Sequence, residues 1–229
     1  VSNAEIAATI EDLFGVPAAV GEISADDITA GGIGITRLDA SARQEGDATQ
    51  FEGSALLDQG TKLATKGALA PEGEGFRVSL DRLTLDQGAI SARLVNATSL
   101  LVQGSSYTLD PLEIDVAGGR IRASGKVANS LDLAVDLANV PLSIANTIQP
   151  DLGLGGTLNG KADIKGTRAK PMVTFDVAGR SITSSMLQQA GLSMLTVDAS
   201  GTTDGNRLNV NTSITSPEGL NASARGVVP

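Results

Sequence analysis

Apolar and polar residues alternate with a period of two along most of this chain. Leu131, Leu133, Val135 and Leu137 are interleaved with Asp132, Ala134, Asp136 and Ala138, the pattern of a strand with one dry and one wet face. The same alternation runs through Phe51-Gly53-Ala55-Leu57, Leu63-Thr65-Gly67-Leu69, Ile121-Ala123-Gly125-Val127 and Leu158-Gly160-Ala162-Ile164. It returns in Val173-Phe175-Val177, Leu208-Val210-Thr212-Ile214 and Leu220-Ala222-Ala224-Gly226. Turn signals separate these runs: Asp58-Gln59-Gly60, Glu72 to Gly75, Asp86-Gln87-Gly88, Gly118-Gly119, Asp204-Gly205-Asn206 and Pro217-Glu218-Gly219. Connections this short join antiparallel neighbours. The pattern predicts roughly fourteen strands in an all-β, mostly antiparallel meander, within one continuous domain over residues 1–229.

Parity slips at two places. Val78 and Leu80 are even-numbered while Leu83 and Leu85 are odd, and Tyr107 and Leu109 give way to Leu112, Ile114 and Val116 across Asp110-Pro111. A one-residue slip turns every later side chain to the other face unless a bulge absorbs it, so a bulge or bend is expected at each. Leu57-Asp58-Gln59-Gly60 recurs as Leu85-Asp86-Gln87-Gly88, which predicts two hairpins of one design. Helix is expected only near 4–14, from Ser2 and Glu5 ahead of Ile6 and Ile10, near 141–148 after Pro141, and near 184–190.

Composition changes the picture in two respects. Aromatic residues are 2% of the chain, so a wide core has few large side chains to fill it. The apolar positions are instead Leu, Val, Ile and Ala with 27 Gly, many of them small. There is no Cys and no His, which removes disulfides, thiolates and the commonest neutral-pH general base. A net charge of −9 with dispersed Lys and Arg argues against nucleic-acid binding. No apolar run reaches the ~18 residues of a membrane-spanning helix. Val1 and Pro229 both fall within the pattern, so the sequence reads as a piece of a longer chain.

Motifs that carry chemistry are missing or false. Gly155-Gly156-Thr157-Leu158-Asn159-Gly160-Lys161-Ala162 has P-loop spacing, but Ala162 stands where a hydroxyl must bind magnesium, and the alternation makes the segment a strand. Gly153 and Gly155 begin a dinucleotide fingerprint that Leu158 breaks. Asp132, Asp136, Asp163 and Asp176 fall on outward positions and read as a solvated face. The tripeptides at Asn96, Asn211 and Asn221 are of glycosylation type and read as strand residues. No catalytic set, metal cage or cofactor site is expected.

The apolar face remains. Read from the residues alone it is either a closed sandwich core or an open groove. Its candidate residues are Leu131, Leu133, Val135, Leu137, Leu158, Ile164, Val173, Phe175, Val177, Leu208, Val210 and Ile214. From 131 to 182 the chain resembles the TamB branch of the AsmA-like family. The resembling residues are Leu131-Asp132-Leu133, Val140-Pro141-Leu142, Ile148 and Pro150 before Leu152, Gly155 to Gly160, Ile164-Lys165-Gly166-Thr167, and Pro171 ahead of Phe175. The resemblance implies an elongated, curved sheet, the U-shaped β-taco, with an apolar concave face. Roughly fourteen strands at about 4.8 Å would make a trough of about 65 Å. It also implies a periplasmic segment of a Gram-negative envelope protein, anchored in the inner membrane by a part outside this chain. Such a segment acts with an Omp85-type barrel, TamA-like or BamA-like, on phospholipid acyl chains or unfolded barrel strands. The alternatives are a non-catalytic scaffold, stalk- or adhesin-like, with a closed core, and a hydrolytic β domain using two carboxylates.

Without His or Cys no side chain titrates ordinarily between pH 6 and 8. The melting temperature should be flat across that range and unmoved by a chelator. A chelator-induced drop in a thermal melt would reveal a carboxylate-bound calcium ion.

Overall fold

The computed structural model describes residues 3–11, 18–30, 33–58, 60–88, 90–147, 149–203 and 207–228. The chain forms two compact units, Val1–Ile114 and Asp115–Pro229, and is all-β and antiparallel in both. The first unit holds β1 (Asn3–Glu11), β2 (Ala18–Ala30), β3 (Ile33–Glu45), β4 (Ala48–Leu57), β5 (Lys62–Glu72), β6 (Gly75–Gln87), β7 (Ile90–Leu94), β8 (Thr98–Gln103) and most of β9 (Ser106–Val116). The second holds β10 (Gly119–Val127), β11 (Ser130–Pro141), β12 (Gly155–Thr167), β13 (Pro171–Thr183), β14 (Leu195–Thr203), β15 (Leu208–Thr215) and β16 (Asn221–Val228). Among the described residues helix is confined to the 3-10 turns Leu142–Thr147 and Pro150–Leu152 and to α1, Ser185–Gln189.

The expected helix over 4–14 is a correction. Asn3–Glu11 is a strand pairing with β2, with Ile6 opposite Ile23 and Ile10 opposite Ala19; residues 12–17 lie outside those described. Ile6 and Ile10 are four apart, which satisfies both a helical and a strand period. A helix of that length is marginal alone, whereas β2 offers a ladder of backbone partners. The other two expectations fall on short turns, with Ser184 capping α1 through its Oγ, which accepts from Leu187 N–H at 3.1 Å.

In the first unit each strand from β1 to β6 pairs with the next, and β7 and β8 share one lane beside β6. The slip between Leu80 and Leu83 is a bulge: Gly67 faces Leu80 and Lys66 faces Arg82, leaving Asp81 unmatched. Both leucines therefore keep one face. The slip at Asp110-Pro111 coincides with the break between β7 and β8. Leu109 faces Leu100 of β8, Thr98 Oγ1 donates to Asp110 O at 3.1 Å, and Val95 N–H donates to Glu113 O at 2.8 Å. Proline has no N–H to lose there. The repeated Leu-Asp-Gln-Gly segments do not make hairpins of one design. β4 ends at Leu57, whose N–H donates to Thr61 O, whereas β6 runs on to Gln87, which faces Ile90 directly. What they share is positive φ at Gly60 (77°) and Gly88 (58°).

The second unit is a meander from β10 to β16, each strand antiparallel to the next. Three of its strands carry bulges near one end, between Leu137 and Val140, at Gly156, and between Gly179 and Ile182. Asn139 and Ser181 are left-handed at φ 50° and Gly156 at φ 94°. Asn139 N–H is satisfied by the Asn159 carboxamide oxygen at 2.8 Å. A Cβ at Gly156 would lie 2.5 Å from Ser181 O, so the bulges of β12 and β13 fit only without a side chain there.

Among the described residues the buried apolar side chains are only Ala25, Val116 and Val140. Two packed sheets would bury many more.

Gly125 and Gly226 make a matched pair for denaturant unfolding. Gly125 has φ 136° and its Cβ would stand 2.0 Å from Asp132 O, while Gly226 has open space around it. Gly125→Ala should cost about 2 kcal/mol or more. Gly226→Ala should fall within about 1 kcal/mol of wild type, on the stabilising side.

Candidate functional site

Directly opposed residues in an antiparallel ladder share a face, so the register decides what the second unit presents on each side. One row runs Ala123, Val135, Ala162, Phe175, Gly201, Val210, Gly226. Beside it lies Ile121, Leu137, Gly160, Val177, Ala199, Thr212, Ala224, and beyond the bulges Val140, Leu158, Gly179, Val197, Ile214, Ala222. On the other side come Gly125, Leu133, Ile164, Val173 and then Val127, Leu131, Gly166, Pro171. Leu208 precedes Val210 by two on β15 and so shares its face, across from Val228. The register thus collects every candidate groove residue on one face, including those beyond 182.

The opposite face is polar. Arg122, Asp136, Lys161, Asp176, Ser200, Asn211 and Arg225 form one row, with Lys126, Asp132 and Lys165 in another. Charges alternate in sign between neighbouring strands. Lys161 Nζ lies 3.7 Å from Asp136 Oδ2. Asp132, Asp136, Asp163 and Asp176 are thus outward as expected, each directly across from Lys, Arg, Ala, Thr or Ser and not from another carboxylate.

On the apolar face large residues mostly meet small ones. Leu131 faces Gly166, Leu137 and Val177 flank Gly160, and Leu158 faces Gly179. A Cβ at Gly201 would lie 2.5 Å from Phe175 Cε1, so the ring lies across the glycine of the next strand. The first unit repeats the device, a Cβ at Gly67 falling 2.6 Å from Phe51 Cζ. Leu133, Ile164 and Val173 make a bulky ridge across three strands, and Ile121–Leu137, Val140–Leu158 and Val197–Ile214 are bulky pairs. None of the groove candidates is buried and none is fully exposed.

Sequence reasoning missed one polar cluster, in the first unit. Arg77 pairs with Glu72, with NH2 to Oε1 at 2.7 Å, and its NH1 reaches Ser99 Oγ and, at 3.1 Å, Asp110 Oδ2. Ser99 Oγ donates to Asp110 Oδ2 at 2.5 Å. Arg77 holds the Glu72 carboxyl below its usual range, chiefly by hydrogen bonding. The set joins β5, β6, β8 and β9 at the broken lane. Its serine has a carboxylate but no imidazole beside it, so it lacks the base that activates a hydroxyl. The parity slip at Asp110-Pro111 was the only sign of it.

No protein-family model, curated protein or solved structure matches the chain. Among the described residues no group of His, Cys, Asp or Glu is placed to hold a metal ion, and no helix is long and apolar enough to cross a membrane. The P-loop-like segment is strand β12 throughout, so its amides are spent on ladders rather than turned to a phosphate. Asn211 and Asn221 are strand residues as expected, while Asn96 lies in a bend before β8.

Glu218, in the turn between β15 and β16, takes the backbone N–H of Ser193 at 2.9 Å. Hydrogen bonding, chiefly from Ser193, pulls its carboxyl down to about 2. A folded-state value below the unfolded one contributes stability above the unfolded pKa, lost as pH falls through the folded one. In acid titrations followed by melting temperature, Glu218→Gln should lie below wild type at neutral pH. The gap should narrow below about 4.5 and vanish near 2.

Proposed function

We propose that the second unit is a non-catalytic carrier of apolar chains, its Leu- and Val-bearing face holding phospholipid acyl chains or unfolded barrel strands. One observation carries the reading. The groove candidates lie side by side on one face, yet each remains partly exposed, as an apolar surface without a sealing layer must be. A contiguous face of that kind marks an interaction site more often than a bystander surface. The large-to-small pairing leaves shallow channels between ridges, suited to a flexible hydrocarbon rather than to one rigid ligand.

The residue cadence from Leu131 to Ile182 supports placing this carrier among TamB-like proteins of outer-membrane biogenesis. On that reading it works in the periplasm, anchored to the inner membrane, with an Omp85-type barrel as its outer-membrane partner. The polar face of alternating charges would then keep the back of the sheet wetted and monomeric. A closed-core scaffold remains the second reading, favoured only by Val116 at 2% and Val140 at 7% exposure, both near ends of their strands.

Strand β11 supplies test and control. Val135 sits between Ala123 and Ala162 on the apolar face, whereas Ala134 sits between Ser124 and Asp163 on the polar one. Val135→Asp should abolish lipid co-purification, read by extraction and mass spectrometry, and lower the melting temperature by only a few degrees, because the carboxylate can reach water. Ala134→Lys, facing Asp163, should change neither. Unfolding or aggregation of Val135→Asp would instead support a packed core, where an unpaired charge costs several kcal/mol. Undiminished lipid carriage by a soluble Val135→Asp variant would end the carrier reading.

A further inference from the structure

The two ends of the second unit's strands differ. At one end, besides the tight turn 117–118 before β10, the connections are 142–154, 184–194 and 216–220, which follow β11, β13 and β15. At the other end are 128–129 and 168–170, the latter with Arg168 and Lys170, and Arg207 just before β15. Large apolar residues standing exposed in the second unit are Leu152, Met172, Met186, Met194, Leu220 and Val227. Leu152, Met186, Met194 and Leu220 all belong to the first set of connections, with Met186 78% exposed.

These connections are joined to one another. The turn Pro150–Leu152 packs against α1, and a Cβ at Gly153, itself at φ 54°, would meet Ser185 Oγ at 2.4 Å. Asn146 braces the first connection through two bonds to Leu154, at 2.8 and 2.9 Å. Ser193 N–H to Glu218 ties the second to the third. Strands in a sheet are about 4.8 Å apart, so the three connections span about 20 Å. Scattered exposed leucines need no explanation, but a braced cluster at one end does.

We propose that this end is a docking surface for a protein segment whose apolar residues are flanked by Lys or Arg. The charge pattern selects that occupant. Across 142–154, 184–194 and 216–220 the only charged side chains are Asp151 and Glu218, and Lys, Arg, Trp and Tyr are absent. A bilayer-binding surface uses aromatic anchors and cations toward anionic headgroups. These three connections carry neither, and Arg180, near the end of β13 that leads into the second of them, is paired with Asp198 at 2.6 Å. Two carboxylates beside apolar residues complement a basic-flanked apolar segment. Two of the chain's 3 methionines stand here, and unbranched, polarisable side chains repack around varied apolar partners. The site is separate from the apolar face and stands or falls independently of it.

The test uses the whole chain and two fluorescent amphipathic helical peptides of equal length, one of Leu and Lys, the other of Leu and Glu. The Leu/Lys peptide should bind saturably. Leu152→Ser combined with Met186→Ser should weaken it about tenfold or more, as loss of central apolar contacts does. Val20→Ser with Met172→Ser, exposed apolar residues elsewhere, should leave it unchanged. If the first pair misfolds by circular dichroism, Met186→Ser alone carries the comparison. Four results would overturn the proposal: equal effects of both pairs, equal binding of the Leu/Glu peptide, binding to phosphatidylcholine vesicles that the first pair abolishes, or self-association that it abolishes.

Discussion

Everything in the second unit depends on keeping strand parity while the antiparallel ladder runs from β10 to β16. A side chain's face is set by whether its position is odd or even along its strand, and the ladder transmits that choice to each neighbour. The bulges are where the chain corrects it. Leu137 is odd and Val140 even, and Gly179 odd and Ile182 even, yet the inserted residues at Asn139 and Ser181 return each pair to one face. Asp81 does the same for Leu80 and Leu83 in the first unit. Left-handed backbone at Asn139 and Ser181 is strained for a residue with a side chain, and the ladders on both sides hold it. Without these insertions the ends of β11 and β13 would turn their apolar residues to water.

A sheet that keeps parity but has no covering layer must build its apolar side thinly. Pairing Leu, Val or Phe with Gly or Ala on the neighbouring strand makes each large side chain lie over a gap rather than stand up from the sheet. Phe175 over Gly201 and Phe51 over Gly67 are the extreme cases, a ring shielding backbone that a glycine leaves bare. The low aromatic content follows from the same geometry, since bulky rings opposite one another would lift from the surface with nothing above to pack against. Stability then rests on the backbone ladders and on half-burial along the face, not on a sealed interior.

Polar residues do a different job on the other side. Alternating signs along Arg122, Asp136, Lys161 and Asp176 place unlike charges on adjacent strands, which favours the native register over one slipped by a strand position. Exposed pairs of this kind contribute little energy each, but a slipped register would also expose the apolar rows. The two effects therefore select the same pairing. The Arg77 cluster does comparable work where the lane between β6 and β9 is broken.

The sequence by itself determined β4 to β6, β9 to β13, β15 and β16, most of the turns between them and the wet or dry side of each, because period-2 alternation is a local property written in consecutive residues. β2, β3, β7, β8 and β14 were not singled out by it. It also located two parity slips. It misread Asn3–Glu11, where Ile6 and Ile10 fit a helical and a strand period equally and only pairing with β2 resolves the choice. Leu131 to Leu137 could be read as one dry face, but which residues of β12 to β16 lie beside them is a matter of register between segments distant in sequence. That Leu133, Ile164 and Val173 form one ridge, that Phe175 covers Gly201, and that Leu152, Met186, Met194 and Leu220 share one end were decided by tertiary structure alone. Burial has the same origin: alternation marks a face as apolar, and only the presence or absence of a second layer determines whether that face meets water.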